Sequence, residues 1–136
     1  MKLRTTLTAL ACLTSGAGMA HAAQTIASAP LWTGLSHAGA CYIRNVGTRP
    51  VSLTVSPLIN FTPGFRTADF DSCSNNDGVP LQPGHTCVLL MNALDDDVTF
   101  ACSAVVNGSA KNVRGSVEIR ESVTGGLRVI AADEMR

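Results

Sequence analysis

The chain runs to 136 residues, of which 46% are hydrophobic, 15% charged and 4% aromatic, with a formal net charge of zero. That composition fits one modest globular domain and excludes collagen-like, coiled-coil and disordered architectures. No apolar run reaches the roughly 18 residues that a membrane helix needs, and ten basic against ten acidic side chains leave no field to hold nucleic acid or an anionic surface.

In chain order, residues 1–22 read as an export signal that is removed. Lys2 and Arg4 make a basic start, Thr5 to Leu13 an apolar stretch, and Ala20-His21-Ala22 a small-x-small cleavage site. A lipoprotein signal acylated at Cys12 is the competing reading, but Ala9 stands where such a signal usually carries Leu. Cleavage after Ala22 leaves a single domain, residues 23–136, with eight basic and ten acidic side chains. It also removes Cys12 and leaves an even set, Cys41, Cys73, Cys87 and Cys102, which in an oxidising compartment reads as two disulfides. A zinc site competes poorly, because no two of these cysteines are spaced Cys-x-x-Cys and no His pair sits at ligand spacing.

Along the processed chain, period-2 and β-branched runs dominate and no window carries a helical stripe. Strands are expected at Leu31 to Leu35, Cys41 to Val46, Pro50 to Leu58, Thr86 to Ala93, Val98 to Val106, Val113 to Ser122 and Leu127 to Ala132. The expected fold is therefore all-β, a seven-stranded antiparallel β-sandwich. Turn chemistry separates the runs at Asn45-Val46-Gly47, Pro63-Gly64, Asn76-Asp77-Gly78, Pro83-Gly84 and Asn107-Gly108, and Thr124-Gly125-Gly126 closes a terminal hairpin. Asp95-Asp96-Asp97 reads as a solvated turn; it lacks the alternating acids and Gly of a calcium loop.

Alternation places the cysteines. Val98, Phe100, Cys102, Ala104 and Val106 share one face of their strand, and Cys41 and Ile43 lie opposite Tyr42 and Arg44 on another. Cys41 and Cys102 can then meet across the core, with Cys73 pairing Cys87, although the spacing also leaves Cys41–Cys73 and Cys41–Cys87 open. In the chain-entropy model a bridge closing about 60 residues is worth roughly 4 kcal/mol and one closing about 15 roughly 3 kcal/mol.

The run Cys41-Tyr-Ile-Arg-Asn45-Val-Gly47, then Val51 to Val55, Leu81-Gln-Pro-Gly84, Cys102 and Val113-Arg-Gly115 resembles small exported bacterial proteins with immunoglobulin-like or fibronectin-III-like sandwiches, over about residues 30 to 120. The resemblance implies a fold and an exported location, periplasmic or secreted, and no transferable activity. Trp32 departs from antibody domains, since it precedes Cys41 where a core Trp follows the first Cys.

No nucleophile elbow, phosphate loop or His-Glu-x-x-His is present, so no enzyme and no cofactor are expected. A small secreted hydrolase would draw on the acids at Asp69, Asp71, Asp77 and Asp95 to Asp97, and a periplasmic copper carrier on His37, His85 and Met91; neither set shows the grouping that its chemistry needs. The segment from Pro57 to Val79 departs from a bland scaffold, because three of the four phenylalanines, Phe61, Phe65 and Phe70, lie in it. Those rings are the candidate contacts for an envelope or extracellular protein partner; the competing reading packs them inward to seal one end of the sandwich.

Overall fold

The computed structural model describes residues 22–34, 37–60, 62–63, 66–74, 79–94, 98–124 and 126–136. In chain order the strands are β1 (Gln24–Ala27), β2 (Leu31–Trp32), β3 (His37–Asn45), β4 (Ser52–Ile59), β5 (Thr62–Pro63), β6 (Phe70–Asp71), β7 (Thr86–Leu94), β8 (Thr99–Asn107), β9 (Val113–Val123) and β10 (Gly126–Met135). One 3₁₀ turn, Ala110–Asn112, leads into β9. Among the described residues no helix is long and apolar enough to cross a membrane.

Among those residues the strands form two five-stranded antiparallel sheets. One runs β1-β8-β4-β5, with β2 also on β8; the other runs β10-β9-β3-β7-β6. Alternation decides which side chains meet between them. Cys41 and Ile43 of β3, Leu89 and Met91 of β7, and Val117 and Ile119 of β9 face Val55 of β4 and Phe100, Cys102, Ala104 and Val106 of β8 in one buried cluster. Of the inward set expected for this strand, Phe100, Cys102, Ala104 and Val106 are buried, whereas Val98 precedes β8 and is half-buried. Gly39 lets the sheets close at one point: a Cβ there would lie 2.6 Å from the buried Phe100 ring.

The Cys41–Cys102 bond joins β3 to β8, and so one sheet to the other, across a sequence separation of 61. Cys73–Cys87 pins the turn after β6 to the start of β7 across a separation of 14. Of the three connectivities that the spacing left open, this is the one found.

Both seams between the sheets are laced by backbone. On one side Ala27, in β1, and Arg136, after β10, each donate an amide to the other's carbonyl at 3.0 Å. On the other, Val51 and Leu81 make the same reciprocal pair at 3.0 and 2.8 Å, tying the start of β4 to the segment that enters β7. These pairs blunt edges that would otherwise leave main-chain groups unpaired.

Asn45 explains the Asn-x-Gly and Leu-x-Pro-Gly turns together. Its side chain is fully buried at the end of β3. There Nδ2 donates to the carbonyls of Arg49 and Leu81, both at 2.8 Å, and Oδ1 accepts from the Gly47 amide at 2.9 Å. Its own carbonyl accepts from the amide of Gly84, whose φ of +77° suits glycine. One buried amide side chain thus satisfies backbone groups of two loops.

The strand count differs from seven for a physical reason. β1, β2, β5 and β6 are four residues long or fewer, too short to show a period, and they exist because a longer neighbour offers free backbone groups. The expected strand Leu31 to Leu35 contracts to Leu31–Trp32, with Leu35 outside the described residues, whereas the β10 expected at Leu127 to Ala132 extends to Gly126–Met135. The expected hairpin between β9 and β10 is present, with Gly126 at φ +145°. The turns at Asn76-Asp77-Gly78 and Asp95-Asp96-Asp97 lie outside the described residues.

Two expectations follow for stability. Replacing Cys41 and Cys102 together by Ala should cost about 4 kcal/mol and replacing Cys73 and Cys87 about 3 kcal/mol, read as the shift in denaturant midpoint. Asn45→Ala should cost about 2 kcal/mol, because part-buried main-chain groups lose their partners; Asn45→Asp should cost more, since a carboxylate would then face two carbonyl oxygens.

Candidate functional site

Of the three candidate contact residues, Phe61 and Phe65 lie outside the described residues. Phe70 does not seal the core. It sits in β6, opposite Leu90 of β7, and is 51% exposed on the outward face of its sheet. Its backbone position is firm: the Asp69 carboxylate accepts from the Asn92 amide at 2.7 Å, Ser72 and Val88 bond each other through backbone and hydroxyl, and Asp71 caps the amides of Cys73 and Ser74. The disulfide to Cys87 closes this clamp. The aromatic is thus held outward by a rigid local frame.

A larger apolar surface escaped the sequence reading. β9 pairs with β3 only as far as Arg120, opposite Ala38, so residues 121–124 and 126–130 run past the body of the sheet as a two-stranded arm. The pairing register slips between Val129 and Ala131, leaving Ile130 in a bulge. Leu127 is 61% exposed, and Val123, Val129 and Ile130 are exposed with it. Trp32, 69% exposed, stands in β2, which lies beside β9 and β10 from the opposite sheet. Isolated exposed hydrophobics are ordinary, but four are concentrated on one arm: Leu127 and Val129 share one of its faces, and Val123, opposite Gly126, lies on the other. The signal in the sequence was the length of the last two apolar runs relative to β3, which is invisible until the register is known.

The outward face of the same sheet carries a polar cluster. Arg120 lies over the Tyr42 ring at 5.2 Å and donates through Nε and a terminal nitrogen to Glu118 at 3.0 and 2.6 Å. Burial pushes the Tyr42 phenol above its usual value; the Arg120 charge pulls it back and Glu118 adds to the rise.

Residues considered for other chemistries are not brought together. His37 opens β3, where its Nδ1 accepts from the Gly34 amide at 2.7 Å, and His85 lies at the turn beside the far end of that strand. Met91 is buried in the core. Among the described residues no group of three His, Cys, Asp or Glu side chains could hold a metal ion. Cys41, Cys73, Cys87 and Cys102 are all in disulfides. Comparison with protein-family models, with curated proteins and with solved structures finds no match.

Tyr42 is the only tyrosine, so its ultraviolet titration is unambiguous. It should deprotonate above the ordinary tyrosine range, and higher still in Arg120→Ala, where the neighbouring positive charge is gone. Because the raised value favours the neutral phenol in the fold, its contribution to stability is present below about pH 10 and is lost as the pH climbs through the folded value.

Proposed function

We propose that this chain is an exported sandwich module of the immunoglobulin-like or fibronectin-III-like type, delivered by the leader 1–22 to the periplasm or the cell exterior, which binds a partner protein and catalyses no reaction. Two disulfides fit an oxidising compartment. The strand order supports the family reading. β3, β7 and β6 lie side by side as strands B, E and D of an immunoglobulin sandwich do, β4 pairs β8 as C pairs F, and the bond between β3 and β8 stands where the B–F disulfide would. The outer strands have traded places: β9 flanks β3 where strand A would, and β1 flanks β8 where strand G would.

The observation that carries the functional reading is the β9–β10 arm with its exposed Leu127, Val129 and Ile130. Among the described residues the edge of β10 before Asp133 pairs with no further strand, and it can accept an extended segment of the partner as an added strand, with apolar side chains meeting those of the arm. Beyond that point the edge is engaged, since Asp133 accepts from the Ala29 amide. Phe70, on the far edge strand of the same sheet, offers a second aromatic contact.

A photo-reactive amino acid introduced at Leu127 or at Phe70 in the native host should yield a discrete cross-linked species from the envelope fraction, while one at Lys111 should not. Leu127→Ser and Phe70→Ser should keep the melting temperature within a few degrees, because both side chains are exposed. A protein that carries no adduct at Leu127 or at Phe70, or that retains an uncleaved leader in its host, would count against the proposal.

A further inference from the structure

A second surface, independent of the arm, lies on the outward face of the β3–β9 pair. Cross-strand partners share a face, and the register places Tyr42 opposite Ser116, and Arg44 opposite both Arg114 and Thr86. Glu134 of β10 stands opposite Ser116. These six side chains line an open cavity of about 370 Å³, within the range of small-molecule sites.

Its charge is unusual for a sheet surface. Like charges directly opposite each other on neighbouring strands destabilise the pair, yet Arg44 and Arg114 are paired in that way. Arg66, Arg120 and Arg128 each have a carboxylate partner, Asp69, Glu118 and Glu121. Arg44 has no hydrogen bond or ion pair among the described residues, although Glu134 lines the same cavity. Arg114 is held by the carbonyls of Lys111 and Val113, at 3.2 and 2.9 Å from one terminal nitrogen, which leaves its remaining donors to point elsewhere. Tyr42, Thr86 and Ser116 add three hydroxyls.

We propose that this cavity binds a hydroxylated monocarboxylate, of the kind presented by a uronic acid residue of an acidic saccharide. Two guanidinium groups supply planar donor pairs matched to a carboxylate. Two arginines against Glu134 leave one net positive charge, which a monoanion neutralises and a phosphate dianion overshoots. Glu134 is an acceptor and needs a donor from the ligand; a sugar hydroxyl supplies it, and a bare anion does not. The three hydroxyl side chains can serve as donors or acceptors to the rest of the ring.

The test is a titration of the disulfide-bonded protein with methyl galacturonide, a hydroxylated monocarboxylate, followed by amide and arginine side-chain NMR. Saturable shifts are expected at Tyr42, Arg44, Arg114 and Ser116, weakening as salt is raised. Arg44→Gln should weaken binding about tenfold or more, equivalent to roughly 1.4 kcal/mol, and Glu134→Gln, which keeps an acceptor, should change it less, with both variants keeping the wild-type spectrum elsewhere. Neutral methyl galactoside should give no shift. Absence of saturable shifts, equal affinity in Arg44→Gln, or equal binding of methyl galactoside would overturn the site. Displacement of methyl galacturonide by inorganic phosphate at comparable concentration would overturn the choice of ligand. Neither outcome touches the arm, whose cross-linking is scored separately.

Discussion

The bond between Cys41 and Cys102 is the constraint on which the rest of the structure depends. It fixes the central strand of one sheet to the central strand of the other and sits fully buried among the side chains that make up the core. A chain with four phenylalanines, one tryptophan and one tyrosine has few large side chains to bury, and a small domain with a thin core relies on covalent closure to offset chain entropy. With the middle of the two sheets locked, the seams need only short reciprocal backbone pairs at Ala27 and Arg136 and at Val51 and Leu81 to close the sandwich.

From this frame the surface follows by alternation. Every residue of β3 and β9 that faces the core has a neighbour that faces out, so the strands that bury Ile43, Val117 and Ile119 also raise Tyr42, Arg44, Arg114, Ser116 and Arg120 on the opposite face. The rigidity behind that face is what makes its polar groups hold position. Asn45 does the same at the sheet's end, where a buried amide organises two loops at once.

Much of the scaffold was legible because its signals are local. Period-2 runs located the long strands, Asn-Gly and Pro-Gly pairs located turns, and the facing of Cys41 and Cys102 favoured their partnership without excluding the other two pairings. What stayed hidden depends on register or on neighbours. Gln24–Ala27 buries one side chain, Ile26, and becomes a strand only because β8 has an open flank. The placing of β9 beside β3, and of β1 beside β8, is decided by how the sheets close and not by any single segment. Phe70 illustrates the limit most plainly: its apolar character argued for burial as readily as for contact, and hydrogen bonds accepted by the side chains of Asp69, Asp71 and Ser72 hold the segment in which it points outward. The exposed arm and the opposed arginines need the pairing of β9 with both its neighbours before they exist as features at all.

The position of Trp32 has a spectroscopic consequence. An indole already bathed in solvent emits at long wavelength in the native state, and loss of the fold changes its surroundings little. Intrinsic emission from this protein is therefore a poor gauge of denaturation and a good gauge of anything that covers β2, where shielding would shift the band toward the blue.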